Sequence, residues 1–224
     1  MKAMHIDDVL DRAHVVSLPL AVRFRGITTR EALLIEGPAG WGEFAPFLEY
    51  GPAESAAWLR AGLEAAYEGF PEPVRDSIEV NATIPAVPAS EVPAVVERYP
   101  GCRTFKIKVA EKGHTLADDA ARVRAVRDAV TQRGDIPILR VDANGGWSVD
   151  EAVEAAQMMM PLDYMEQPCA TTEELAQVRG RLMRAGLFVR VAADESIRKV
   201  ADPYRVAELQ AADVAVVKPA PLGG

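Results

Sequence analysis

From Ile78 onward the chain alternates strand and helix, and that alternation restricts the fold more than any other feature of the sequence. Candidate strands fall at Glu79–Ile84, Thr104–Val109, Ile138–Asp142, Leu162–Glu166, Val189–Asp194 and Val214–Lys218. Amphipathic segments between them carry helix start and stop chemistry. Ser148-Val149-Asp150-Glu151 and Thr171-Thr172-Glu173-Glu174 both fit a capping box. Thr115 can cap a helix carrying Val123, Val126 and Val130, and Gly134 and Gly186 each follow a helix end. Strand–helix units repeating every ~25–35 residues imply parallel strands joined by right-handed crossovers. The resulting α/β sheet can stay open and doubly wound, or curl into a (β/α) TIM-type barrel. A dinucleotide-binding sheet wants G-x-G-x-x-G after its first strand, and that run does not occur there. A closed barrel needs eight strands. With six strands on to Gly224, the barrel is expected to have its C-terminal part missing. A sheet of six strands alone would expose two long apolar edges.

Residues 1–75 read differently. Val15–Phe24 and Glu31–Glu36 are candidate strands, Gly37-Pro38-Ala39-Gly40 a turn, and Trp41-Gly42-Glu43 a further extended run. Ser55 opens a helix to about Gly69, with Trp58, Leu59, Leu63 and Ala66 on one stripe. Meander followed by helix is an α+β pattern. Arg23-Phe24-Arg25-Gly26 resembles a mobile loop tip with two positive charges, and Phe70-Pro71-Glu72-Pro73 reads as a linker. The expected division is an α+β domain at 1–75 and a partial barrel at 76–224.

The polar residues that interrupt the apolar strands sit at their C-terminal ends, the face on which parallel α/β folds build active sites. Lys106 and Lys108 lie two apart on one strand and so project from one face. Two ammonium groups held together repel, which favours the neutral amine a general base needs. An edge strand guarded by lysines would look the same in isolation. Further along, Asp142, Glu166 and Asp194 end three successive strands. Three carboxylates that converge need a cation to stay ionised together, and all-oxygen ligation suits Mg²⁺, with Mn²⁺ as substitute. Each taken singly could instead cap the following helix. Asn144 and Glu195 are candidates to orient these ligands, with loop hydrogen bonding as the alternative. Lys218 ends the sixth strand, where a buried lysine is costly unless it meets charge. Proton abstraction α to a carboxylate suits this set: a lysine takes the proton while a divalent ion stabilises the developing charge.

Other function classes fall away on composition. A net charge of −8 without a basic run argues against nucleic acid as a partner. No apolar run reaches the ~20 residues needed to cross a membrane, and the N-terminus lacks a signal peptide's apolar core. Cys102 and Cys169 make no disulfide framework, which points to a reducing cytoplasm. The expected partner is a small-molecule carboxylate substrate. Nothing in the sequence sets an oligomeric state.

As an ordered set, Lys106-x-Lys108, Asp142-x-Asn144, Glu166-Gln167-Pro168, Asp194-Glu195-Ser196 and Lys218-Pro219 resemble the enolase superfamily, in which a lysine base works beside Mg²⁺. Lys218 points to its muconate-lactonizing subgroup, since the mandelate-racemase subgroup carries an Asp on that strand. The likeness spans about Glu79–Gly224 and extends weakly to Gly40–Phe47, in what would be a capping domain. Within the subgroup the chain looks most like the o-succinylbenzoate synthase family of actinobacterial type. That resemblance implies a syn-dehydration in menaquinone synthesis. Lys108 would act as base and then acid, Lys106 would hold Lys108 at a usable pKa, and Lys218 would stabilise the enediolate. Asp142, Glu166 and Asp194 would bind Mg²⁺. The same motifs also serve racemases of N-acylamino acids and dipeptide epimerases, and an inactive fragment is the third reading.

Overall fold

A computed structural model describes residues 5–24 and 27–224. The chain divides into two compact units, one of residues up to Asp76 with Arg198–Val200 and Lys218–Gly224, the other of Ser77–Ile197 and Ala201–Val217. Among the described residues no helix is long and apolar enough to cross a membrane. Arg25 and Gly26, half of the expected loop tip, lie outside the described residues.

The first unit begins with helix α1 (Ile6–Leu10) and continues as strands β1 (Ala13–Phe24), β2 (Ile27–Gly37) and β3 (Gly40–Phe44), an antiparallel meander, followed by helix α2 (Pro52–Tyr67). Gly37 pairs with Gly40 across Pro38-Ala39, so the expected turn closes a hairpin. Helix α2 lies with its backbone directly on the strands: a Cβ on Gly42 would fall 1.8 Å from the Gly62 carbonyl oxygen, and one on Gly62 would fall 2.7 Å from that of Glu43. Only glycine permits such an approach. The small core holds Val9, Ile35 and Ala66, with Leu59 and Leu63 packed against it. Trp58 departs from the expected stripe and sits instead among Phe47 and Tyr50, with ring centroids 6.3 and 5.9 Å away.

The second unit contains β4 (Ala82–Ile84), α3 (Val92–Val96), β5 (Thr104–Lys108), α4 (Leu116–Gln132), β6 (Ile138–Asp142), α5 (Val149–Met159), β7 (Tyr164–Glu166), α6 (Thr172–Arg184), β8 (Arg190–Ala193), α7 (Asp202–Glu208) and β9 (Val214–Ala215). Helix α8 (Pro219–Leu222) then returns to the first unit. The six strands pair in chain order, all parallel. A doubly wound sheet reverses its order at a switch point. No reversal occurs here, so the strand order is that of a (β/α) barrel. Thr115, Ser148 and Thr171 each close a reciprocal capping box, with Asp118, Glu151 and Glu174 as partners.

Only β6 keeps its expected bounds; the other five strands are shorter than the sequence suggests, the two at the edges of the sheet most of all. Ala82 pairs with Phe105 and β5 starts one residue earlier, so Glu79 and Val80 have no ladder to join. At the other edge Ala215 pairs with Ala193, the last residue of β8. Alternation along the strands sends Phe105, Ile107, Leu139, Val141, Met165 and Val191 into a core packed against the helices. The opposite face carries the polar residues, and the register brings Lys108, Asp142 and Glu166 into one row.

Candidate active site

That row is a hydrogen-bonded cluster. The Lys108 ammonium lies 2.5 Å from Asp142 Oδ2 and donates to Asn144 Oδ1 at 2.7 Å. Lys106 Nζ donates to Glu166 Oε1 at 2.7 Å and sits 3.2 Å from Asp142 Oδ2. Both carboxylates are 1% exposed, while the lysines are 20% and 33% exposed, so the cations reach solvent and the anions do not. The side chains meet because parallel register aligns residues of equal parity on neighbouring strands.

Mutual repulsion of the two lysines does not set the charge state of Lys106. Burial pulls its pKa down, but the hydrogen bond and charge of Glu166, with Asp142 adding, outweigh burial and leave the ammonium above its ordinary value. The expectation of a lysine pair lowering itself therefore needs correction at Lys106. Each ammonium faces carboxylates more closely than the sequence pattern of two adjacent lysines suggests.

Glu166 is raised as well, which for a carboxyl disfavours the charged form. Burial pushes its pKa up, and the Asp142 and Asp194 charges push further against the pull of Lys106. Its second oxygen, Oε2, is buried with no hydrogen-bond partner. A buried acceptor left unsatisfied costs about 1–3 kcal/mol, and more when charged. Asp194, 6% exposed, is near enough for its charge to act on Glu166. Among the described residues no three His, Cys, Asp or Glu side chains close in as a ready cage for one ion. The donor chemistry still fits a hard divalent cation: oxygen ligands, an acceptor without a donor, and like charges crowded against one another.

The remaining expected residues divide. Asn144 does what orienting residues do: its backbone N–H donates to Asp142 Oδ1 at 3.1 Å, and its Nδ2 donates to Glu195 Oε1 at 3.1 Å. It holds this position in a left-handed conformation, φ 47°, which asparagine tolerates better than most residues. Lys218 falls in the first unit, just ahead of α8. Cys169 is fully buried, and burial pushes its thiol up to about 12, with Glu174 and Glu151 adding, which removes it as a nucleophile.

Sequence reasoning missed the work of Gln167. Its side chain is fully buried, with Oε1 accepting from the backbone N–H groups of Asp194 and Ser196, each at 3.1 Å. Its Nε2 donates to the Cys169 carbonyl at 2.9 Å and reaches Ser196 Oγ at 2.8 Å. Gln167 thus ties the end of β7 to the residue that follows β8. The signal available was a polar amide between Glu166 and Pro168 in an otherwise apolar stretch.

Residues 15–66 match the family model described as Enolase N-terminal domain-like, and residues 89–224 the model described as Enolase C-terminal domain-like. The chain belongs to the enolase superfamily. Among its curated relatives, the o-succinylbenzoate synthase of Mycolicibacterium smegmatis is 60% identical over 222 residues, covering 98% of this chain and 66% of that protein. The o-succinylbenzoate synthase of Mycobacterium marinum is 58% identical over 223 residues, covering 98% and 64%. A solved mandelate racemase/muconate lactonizing protein from Herpetosiphon aurantiacus is 26% identical with a TM-score of 0.68, covering 95% of this chain and 74% of its own. This chain therefore spans a little under two thirds of the length of the curated relatives it matches, 66% and 64%.

Proposed function

We propose that this chain carries the proton-abstracting and metal-binding residues of an o-succinylbenzoate synthase. The reaction is loss of water from 2-succinyl-6-hydroxy-2,4-cyclohexadiene-1-carboxylate, a step of menaquinone biosynthesis. One observation carries the reading: two lysines and two buried carboxylates form one hydrogen-bonded cluster at adjacent strand ends, in a chain 60% identical to a protein of that name.

In this reading Lys108, as the neutral amine, takes the proton from the carbon α to the substrate carboxylate. The bond from the ring to the neighbouring hydroxyl then breaks, and the ammonium of Lys108 returns its proton to that departing oxygen, so that water leaves. No other reactant is consumed. Lys108 suits both steps because Asn144 and Asp142 hold its nitrogen in one place, and general acid–base work by one placed group is worth about 10²–10⁴-fold. Lys106, kept charged by Glu166 and Asp142, supplies a fixed cation beside it.

Asp142, Glu166 and Asp194 would hold Mg²⁺, with Mn²⁺ as a substitute. The lone Oε2 of Glu166 and the upward push on its pKa are the observations that support a cation there. When bound, the ion would supply positive charge to the substrate carboxylate and relieve the crowding of these three anions. Asn144 and Glu195 are proposed to orient the ligands, since Asn144 bridges Asp142, Lys108 and Glu195.

The test is to incubate the purified chain with the cyclohexadiene acid and Mg²⁺, following the aromatic product by absorbance and metal binding by calorimetry. Product formation that chelation abolishes is the expected result. Deuterium exchange with inversion at the α-carbon of an N-acylamino acid or a dipeptide, without loss of water from the diene, would instead make the chain an epimerase. A chain that shows no turnover and binds no Mg²⁺ would overturn the assignment.

A further inference from the structure

Asp119 and Arg122, in the first turns of α4, are each 1% exposed and form an ion pair at 2.6 Å. Removing two charges from water is expensive, and such a pair is tolerated only where the surrounding hydrogen bonds are good. Here two of the outward bonds fall on the backbone at the end of β5, and a third ties it to the loop after β4. Arg122 Nη1 donates to the Lys108 carbonyl at 3.0 Å, and Nε donates to the Val87 carbonyl at 2.6 Å. Asp119 Oδ2 accepts from the Ala110 N–H at 2.9 Å. The fourth contact, from Arg122 Nη2 to His114 Nδ1 at 2.8 Å, closes the loop between β5 and α4.

Ala110 needs such a grip. It is a non-glycine residue at φ 59°, a conformation that side chains disfavour unless the surroundings enforce it. On its other side it abuts Gly146, where a Cβ would come within 2.8 Å of the Ala110 methyl. The loop after β5 is therefore clamped between an ion pair in α4 and the turn after β6, the same turn that presents Asn144 to Lys108. Lys108 is thus fixed twice, at its nitrogen by Asp142 and Asn144 and at its backbone by Arg122.

We propose that Asp119 and Arg122 are positioning residues for Lys108, holding the backbone of the strand end from which its side chain reaches the substrate. The proposal rests on Lys108 as the base. It differs from a general packing role because two of the pair's four outward contacts fall on the carbonyl of Lys108 and the amide two residues further on, the others go to Val87 and His114, and none goes to the strands that carry the carboxylates. A misplacement near 1 Å can cost about a hundredfold in rate even when the chemistry is untouched.

The decisive variant is the double replacement Asp119→Asn with Arg122→Met, which leaves no buried charge unpaired and keeps an acceptor for the Ala110 amide. Three readouts apply to the full chain: hydrogen exchange at Ala110 against Met165 on β7, limited acetylation of Lys108 and Lys106 against exposed Lys112, and kcat with KM. The proposal expects faster exchange at Ala110 alone and increased labelling of Lys108 but not Lys106. It also expects kcat to fall by up to about a hundredfold with KM little changed. Labelling of both lysines rising together would make the pair a general scaffold, and labelling of neither changing would show that it has no hold on Lys108. Either result overturns the proposal. If the double variant does not fold, Arg122→Lys, which keeps the buried charge and loses the fork of donors, is read in the same way. Should the parent chain show no turnover, the functional assignment fails, and exchange and labelling still decide the positioning role.

Discussion

The parallel strands hold charged clusters at both ends, and the two clusters obey opposite rules. At the N-terminal end Asp163, just ahead of β7, is shared by Arg140, whose Nε donates at 2.8 Å, and by Arg190, which holds its other oxygen. Arg140 also reaches Asn81 Oδ1 at 2.9 Å and lies over the Tyr164 ring, 4.8 Å from its centroid. Burial would raise the pKa of Asp163, but the two arginines outweigh it and hold the carboxyl below its ordinary value. At the C-terminal end Glu166 is raised and keeps one oxygen without a donor. One end satisfies its anion and gains stability from it. The other holds its anions in tension, and a site that must later bind something else needs that tension.

The most severe way to break the contrast is at Lys108. Lys108→Ala removes the proposed base and should lower turnover of the cyclohexadiene acid by about 10²–10⁴-fold. Calorimetry should still find Mg²⁺ bound, because no ligand oxygen is lost. Appreciable residual turnover would remove Lys108 from the reaction.

Glu166→Gln tests the tension itself. Losing a ligand charge should weaken Mg²⁺ binding by more than about tenfold, at least the effect of altering a partner outside the ligand shell. The pH dependence of stability carries a sign. A carboxyl whose folded pKa is raised contributes stability at low pH, where both states hold the proton, and loses it as pH climbs from 4.5 through the folded pKa. Lys106, also raised, contributes fully below 10.5 and loses its share as pH rises through its higher folded value. Wild type and Glu166→Gln should therefore diverge in unfolding free energy as pH rises above 4.5, and a difference that does not change with pH there would contradict the raised pKa.

Asp163→Asn probes the satisfied end. It should cost about 1–2 kcal/mol after allowing for solvent screening of a partly exposed pair, and leave Mg²⁺ affinity unaltered. The sign is opposite to that of Glu166. With a lowered folded pKa, the contribution of Asp163 is present above 3.8 and lost as pH falls through the folded value. The gap between wild type and variant in chemical denaturation should accordingly close in acid. A gap that stays constant down to full protonation would show that shape, not charge, holds this end together.

Much of this contrast could be read from residues alone, and for an identifiable reason. Period-two alternation puts Lys106 and Lys108 on one face, and the apolar alternates Leu139, Val141 and Met165 leave Asp142 and Glu166 on the face away from the core, while capping boxes at Thr115, Ser148 and Thr171 mark helix starts through chemistry internal to four residues. What stayed hidden depends on atoms distant in sequence. Glycine contacts between α2 and β3 join Gly42 to Gly62, and no local pattern predicts which helix position meets which strand. The shift on Lys106 depends on Glu166 lying 2.7 Å away, a distance across two strands. Gln167, Asp119 and Arg122 read as ordinary polar residues until their backbone partners are known.

The smallest effect sharpens the comparison by separating location from satisfaction. Ser148 begins α5 at the same end of the strands as the tense cluster, yet it behaves like Asp163. Its hydroxyl accepts from the Glu151 N–H at 3.3 Å, and the Glu151 carboxylate accepts from the Ser148 N–H at 2.8 Å. The Ser148 N–H, and the hydroxyl that donates to Oε2 at 2.7 Å, lower the pKa of Glu151, the direction of a carboxyl at rest. Ser148→Ala removes one half of the exchange and should cost about 1 kcal/mol, the usual worth of such a cap. For a chain of this size that corresponds to roughly 2–4 °C in thermal midpoint. Mg²⁺ affinity and the rate should not follow. If they fall together with the midpoint, tension and stability are coupled along the whole C-terminal rim. If only the midpoint falls, the tension is confined to the row of Lys106, Lys108, Asp142 and Glu166, and the helix start beside it is scaffold.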